Sequence, residues 1–156
     1  MYVLADTNIL VRAIHRKDPQ HKDVLRAIRA LRNSGETVCI VPQNLYELWT
    51  VATRPASSNG LALTPEQADR ILTRIEQLLV LMRDTPAVYD EWRRLVSSHS
   101  TSGKASHDAR LVAAMNVHGI DHVLTFNIDD FKRYTEIKVL NPGEAQATLG
   151  EPQQES

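Results

Sequence analysis

Short apolar runs alternate with helical periodicities along this chain. The first run, Tyr2–Ala5, is closed by Asp6-Thr7-Asn8. A helical pattern follows over 8–14, until Lys17-Asp18-Pro19 breaks it. Over 20–32, Val24, Leu25, Ile28 and Leu31 share a face while Lys22, Arg26, Arg29 and Arg32 lie elsewhere, and Asn33-Ser34-Gly35 stops the helix. A second strand is expected at 37–41, and Pro42 opens a third helix running to Thr53. Arg54-Pro55-Ala56-Ser57-Ser58-Asn59-Gly60 is a loop by every local signal. Thr64-Pro65-Glu66-Gln67 then combines a cap, a first-turn proline and a capping box, starting a helix that reaches about Leu79.

Residues 79–82 form a candidate third strand. Pro86 opens a helix over 87–98 with Val88, Trp92, Leu95 and Val96 on its apolar face, and 97–104 is a small polar loop. Ser106 is expected to cap a helix ending at His118, before Gly119. A fourth strand is expected at 122–126, a turn or short helix at 127–131, and a last strand at 137–140. Beyond Pro142 hydrophobics are sparse, and 150–156 is expected to be a frayed tail. Strands alternating with helices in this way predict an α/β fold with a parallel sheet, in one domain spanning 1–149.

Composition narrows the class. At 156 residues the chain suits one well-cored domain better than two. Its 42% hydrophobic and 24% charged residues are those of a globular protein, and no apolar run is long enough for a membrane span. The N-terminus has no basic segment and Asp6 interrupts its apolar run, which speaks against a signal peptide. The one cysteine, Cys39, lies in Thr37-Val38-Cys39-Ile40-Val41 and has no partner for an internal disulfide, in keeping with a reducing cytoplasm. A net charge of −1 supplies no global basic field for nucleic acid, leaving room only for a local patch or metal-mediated binding.

Three carboxylates stand out. Asp6 follows the first strand, where open α/β sheets place their chemistry. It can cap the next helix or, with Thr7 and Asn8, offer oxygen to a hard cation. Glu47 is the only charged residue between Glu36 and Arg54. Periodicity puts it opposite Leu45, Leu48, Trp49 and Ala52, so it is either an ordinary exposed glutamate or the acid of a cleft-lining face. Asp108 heads the apolar stripe Leu111, Val112 and Met115. Facing a carboxylate toward a core costs several kcal/mol, against about 0.3–1 kcal/mol returned by a helix N-terminus; a divalent cation is the alternative compensation. A fourth corner falls in Thr125-Phe126-Asn127-Ile128-Asp129-Asp130-Phe131, where Asn127 or Asp130 can reach the edge that Asp6 occupies, unless the segment is a plain surface turn. The six histidines and lone cysteine make no zinc pattern, and there is no phosphate loop or serine elbow.

Taken in order and context, Asp6-Thr7-Asn8, Glu47, Asp108-Ala109 and Thr125-x-Asn127 with Asp130-Phe131 resemble the PIN domain, the metal-dependent nuclease fold of VapC-type toxins. The resemblance runs from Met1 to about Pro142, and the loop from Arg54-Pro55 to Asn59-Gly60-Leu61 resembles a subset of bacterial toxin-like members. It implies a three-layer α/β/α fold with a central, mainly parallel sheet of four to five strands. One departure is that Asn127 stands where many members carry an aspartate.

The resemblance implies a Mg2+- or Mn2+-dependent endoribonuclease. Asp6 and Asp108 would hold the principal ion, Glu47 would ligate it or place the attacking water, and Asn127 or Asp130 would sit at the far side. Thr7, Asn8 and Thr125 would orient the ligands. Arg12, Lys104 and Arg110 flank the acidic motifs as candidate phosphate contacts, though each also reads as a solvated helix charge. A VapC-like toxin would be a cytoplasmic homodimer paired with a small antitoxin protein that threads into its acidic cleft, and Leu61 and Leu63 are candidate dimer contacts. Two other readings remain at this point. One is a PIN scaffold that binds RNA or protein with little catalysis. The other is a haloacid-dehalogenase-like phosphatase, which would need an aspartate at the position of Asn8.

Overall fold

The computed structural model describes residues 1–150. Five short strands form one sheet in the order β3-β2-β1-β4-β5: β1 (Tyr2–Ala5), β2 (Thr37–Ile40), β3 (Val80–Leu81), β4 (His122–Leu124) and β5 (Lys138–Leu140). All four pairings are parallel. The helices are α1 (Thr7–Ile14), α2 (His21–Asn33), α3 (Pro42–Thr53), α4 (Pro65–Leu78), α5 (Pro86–Ser98), α6 (Ala105–His118) and α7 (Pro142–Gly150).

Strand alternation divides the core in two. Val3, Ala5, Val38, Ile40 and Leu124 face one layer with Ile9, Leu10, Val24, Leu31, Leu48 and Ile75. Leu4, Cys39 and Val123 face the other with Val88, Leu95, Leu111, Val112 and Met115. Because side chains alternate along a strand, β1 serves both layers and is buried on both faces. The result is the three-layer α/β arrangement with a fully parallel sheet.

Chain order places β1 at the centre. The chain builds outward on one side through β2 and β3, then crosses to lay β4 on the other side of β1. The gap beyond the carboxyl ends of β1 and β4 is therefore the switch point where such sheets bind ligands. Asp6 and Thr125 are the residues that emerge there.

Several expected boundaries shift for identifiable reasons. The first helix begins at Thr7 because Asp6 caps it, Oδ1 accepting from the Thr7 amide at 2.8 Å. Val41 leaves β2 to precede α3, with its amide donating to Asn44 Oδ1 at 2.9 Å. The capping box at Thr64 and Gln67 forms in both directions, at 2.9 and 3.2 Å. Ser106 does not cap α6, which starts one residue earlier. Its hydroxyl instead donates to the Gly103 carbonyl at 2.8 Å, inside a turn where Gly103 has φ +58°. Gly119 ends α6 in the left-handed region, as expected.

The segment after Pro142 corrects the expectation most. It forms α7, which packs on α2 and buries Ala145. Asn141 and Glu144 make its reciprocal cap, Glu144 N donating to Asn141 Oδ1 at 2.9 Å and Asn141 N to Glu144 Oε2 at 3.4 Å. Apart from Gly150, the expected tail lies outside the described residues.

Candidate active site

Asp6 is 8% exposed. Besides the Thr7 amide, it accepts on Oδ2 from Thr125 Oγ1 at 2.7 Å and from Asn8 Nδ2 at 3.1 Å. The same Asn8 amide reaches Thr125 Oγ1 at 3.0 Å, and its Oδ1 accepts from the Phe126 amide at 3.1 Å. Asn8 thus laces the start of α1 to the chain leaving β4. Every donor to Asp6 is neutral, and among the described residues no Lys, Arg or His forms an ion pair with it.

Neutral hydrogen bonds return about 1 kcal/mol each, whereas withdrawing a carboxylate from water costs several. Burial accordingly pushes the Asp6 carboxyl above the ordinary carboxylate range. The bonds from Thr125 and Thr7 offset part of this, and the charges of Glu47 and Asp108 add to it. Asp6 is thus a helix cap and also a carboxylate whose negative charge remains uncompensated.

Glu47 enters from α3. The residue as a whole is exposed, but both carboxylate oxygens are engaged. Oε2 accepts from Thr7 Oγ1 at 2.6 Å and Oε1 from Gln43 Nε2 at 2.9 Å. Thr7 Oγ1 also receives Asn44 Nδ2 at 3.4 Å, and Asn44 is fully buried. The uncharged run around Glu47 therefore lines a contact between α1, α3 and α6.

Asp108 is half-buried in the first turn of α6. Burial raises its carboxyl, followed by the charge of Asp130. Lys104 and His107 pull it down, while Glu47 raises it further. The first turn of α6 is held by two side chains from other elements. Trp92 Nε1 donates to the Ser106 carbonyl at 2.8 Å, and Gln43 Nε2 to the His107 carbonyl at 2.9 Å.

Asn127 immediately precedes a short 3-10 segment, Ile128–Phe131, which carries Asp130 and is anchored by the buried Phe131. Asn127 is exposed and its backbone amide donates to Thr125 Oγ1 at 3.0 Å. Asp130 is exposed too, and its charge acts on Asp108.

The candidate phosphate contacts separate. Lys104 immediately precedes α6, exposed and near enough to Asp108 for its charge to be felt. Arg12 is committed to the protein. Nε donates to Gln20 Oε1 at 2.7 Å, Nη1 to the Asn8 carbonyl at 3.0 Å, and its guanidinium lies 4.7 Å over the Phe126 ring. Arg110 donates to Gln43 Oε1 at 3.2 Å and to Asp84 Oδ2 at 3.1 Å. No local signal in the sequence marks Gln43, Asn44 or Trp92 for a role at this site. Uncharged polar residues in a first helical turn read as solvated, and Trp92 reads as core.

The donor set suits a hard divalent cation: a buried carboxylate bonded only to neutral groups, with two further carboxylates close enough to repel it. As they stand, no three His, Cys, Asp or Glu side chains among the described residues are already gathered to hold an ion. Gathering them means drawing Glu47 or Asp108 inward against that repulsion, which an ion would relieve.

A second feature is a groove of about 770 Å3 between α1, α2 and α4. Leu10, Ile14, Leu25, Ile28, Ile71 and Leu78 supply apolar surface to it. The exposed Arg16, Arg29, Arg32 and Arg74 also line it, and no acidic residue among the described residues does. Leu25 and Leu78 are 40% and 53% exposed. Leu61 and Leu63, by contrast, are half-buried and tied by their amides to the carbonyls of Val51 and Ala52 at 3.0 and 2.9 Å.

Residues 3–137 match the PIN-domain family model. The chain is 31% identical over 144 residues to ribonuclease VapC24 of Mycobacterium tuberculosis, covering 88% of this chain and 94% of the relative. The chain belongs to the PIN-domain family. Among solved structures, its fold is similar to VapBC2 of Rickettsia felis bound to a promoter DNA fragment, at TM-score 0.64 and 20% identity over 90% of this chain and 98% of the other. It is also similar to VapC20 of Mycobacterium tuberculosis, a toxin that cleaves the sarcin-ricin loop, at TM-score 0.62 and 19% identity over 85% and 95%. No helix among the described residues is long and apolar enough to cross a membrane.

Proposed function

We propose that this chain is a divalent-metal-dependent endoribonuclease and the toxin of a toxin–antitoxin pair. The observation that carries the reading is the charge repulsion that Glu47 and Asp108 exert on Asp6 beyond the carboxyl ends of β1 and β4, with Asp6 buried and ion-paired to no Lys, Arg or His among the described residues. The VapC24 relationship supports RNA as the substrate class.

In this reading Asp6 and Asp108 hold Mg2+ or Mn2+, Glu47 completes the set or directs the attacking water, and Asp130 supplies the fourth carboxylate in place of Asn127. The ion, when bound, supplies Lewis acidity to the scissile phosphate and lowers the pKa of a water. Thr7 and Gln43 hold Glu47 by both oxygens, and Asn8 and Thr125 hold Asp6 against rotation. Lys104 offers a positive charge for the RNA backbone beside Asp108. Arg12 and Arg110 brace the protein around the site. Asn8 argues against an aspartyl-phosphate mechanism, since its amide is spent on Asp6 and Thr125. Two like charges acting on a buried carboxylate argue against a scaffold that serves only for binding.

The antitoxin reading draws on the toxin–antitoxin complexes among the structural relatives. The apolar groove between α1, α2 and α4, lined by four arginines, suits an amphipathic segment carrying acidic side chains. The toxin would act as a cytoplasmic homodimer. The deciding experiment incubates purified protein with structured RNAs, with Mg2+ or Mn2+ and with chelator. Cleavage that needs the ion and disappears in Asp6→Asn supports the reading, and equal cleavage by Asp6→Asn overturns it.

A further inference from the structure

Gln43 occupies the first turn of α3, one helical turn ahead of Glu47, and is 7% exposed. Its amide nitrogen donates to two acceptors, Glu47 Oε1 and the His107 carbonyl, each at 2.9 Å. Its amide oxygen accepts from Arg110 Nη1 at 3.2 Å, and Arg110 in turn reaches Asp84. Both amide hydrogens and one oxygen lone pair are therefore used, and they join the helix carrying Glu47 to the turn carrying Asp108. The carbonyl that Gln43 takes belongs to the residue immediately before Asp108.

The chemistry of the group matters. The charge of Glu47 acts on both Asp6 and Asp108, and like charges part unless something holds them. A neutral amide can hold it in place without cancelling its charge, whereas a lysine or arginine here would compete with a cation for the same oxygens. Outer groups that orient metal ligands typically govern affinity by 10–100-fold.

We propose that Gln43 is a positioning residue. Its amide fixes the Glu47 carboxylate against the first turn of α6 and so sets the spacing between Glu47 and Asp108. The proposal rests on the reading of these acids as a metal site.

Calorimetric titration of the full chain with MnCl2 tests it, using Asp6→Asn, Gln43→Met, Glu47→Ala, the Gln43→Met/Glu47→Ala double variant and Ile75→Val. Gln43→Met keeps the length of the side chain and removes its hydrogen bonds, and Ile75→Val is a core control far from the acids in role. The expected result is a Mn2+ Kd raised about tenfold by Gln43→Met and unchanged by Ile75→Val. Adding Gln43→Met to Glu47→Ala should then bring little further loss, because the amide acts through Glu47. Parent-like binding by Gln43→Met, with binding lost in Asp6→Asn, overturns the role of Gln43 and leaves the metal site standing. A full tenfold further loss in the Glu47→Ala background overturns it too. A parent chain that binds no Mn2+ overturns both the metal site and this proposal. Should Gln43→Met fail to fold, Gln43→Asn replaces it, keeping the amide on a stem one methylene too short for both acceptors, and the same outcomes decide.

Discussion

Thr7 Oγ1 donates a 2.6 Å hydrogen bond to Glu47 Oε2, joining residues forty positions apart. The residue that starts α1 thereby fixes an acid on α3, and it does so beside the carboxylate that caps α1. A hydrogen bond to a charged group contributes about 1.5–3 kcal/mol. Thr7→Val, which keeps the shape and removes the donor, should lower kcat for RNA cleavage by roughly tenfold or more. Steady-state kinetics at saturating Mn2+ measure this, and an unchanged kcat would show that Glu47 does not depend on Thr7.

Asp6 should cost stability when no metal is bound. Its pKa lies above the ordinary 3.8, chiefly through burial. Between 3.8 and that raised value the folded chain holds more protons than the unfolded one, so stability falls as pH rises through the window. In metal-free protein Asp6→Asn should therefore raise Tm at neutral pH and flatten the acid-side profile. Mn2+ should raise the Tm of the parent and leave the variant nearly unmoved. Thermal melts from pH 3 to 7 with EDTA or MnCl2 test both halves, and a variant that melts below the parent in EDTA contradicts them.

Asp130 should matter more than Asn127. The charge of Asp130 raises the Asp108 carboxyl more than that of Glu47 does, while Asn127 contributes its backbone amide to Thr125. Asp130→Asn is expected to weaken Mn2+ binding about tenfold, with Asn127→Ala within about twofold of the parent. The reverse ranking would assign the fourth position to Asn127.

Cys39 should be inert in the folded state. It is fully buried in β2, and burial pushes its thiol up to about 12. A thiol that stays protonated is a poor nucleophile, so a disulfide reagent at pH 8 should label it only after denaturant is added. Because the folded pKa exceeds the unfolded one, this group's contribution to stability is complete below pH 9 and is lost as pH rises toward 12. Rapid native-state labelling would mean that the sheet opens readily.

The arginine-lined groove should be separable from the acidic edge. Leu25→Asp combined with Leu78→Asp places negative charge on apolar surface that is already exposed. Co-purification of a co-expressed antitoxin should be lost and RNA cleavage retained. Loss of cleavage with retained partner binding would assign the groove to substrate instead.

Much of this molecule is written locally. The runs at 2–5 and 37–41 are apolar on both alternating faces, as strands buried between two layers must be. The Thr64 capping box, Pro42 and Gly119 act through their own backbone neighbours, so their helix ends are visible in the chain. Asp6 stands out in the sequence because it closes an apolar strand run, and Glu47 and Asp108 because each sits in an uncharged or apolar surrounding. The cap at Asn141 and Glu144 was also there to be read, but sparse hydrophobics hid α7, whose stability comes from Ala145 meeting α2.

Other features exist only once distant segments meet. Whether Asp6 caps or carries unbalanced charge depends on Thr125, 119 positions away, and on which neighbours are cations. Arg12 and Arg110 look solvent-borne in sequence and are spent inside the protein, because their partners come from other turns and helices. Gln43 is the clearest instance. Hydrogen bonding has no periodicity along the chain, so an amide that ties Glu47 to the turn of Asp108 looks like any polar residue until α3 and α6 are brought together.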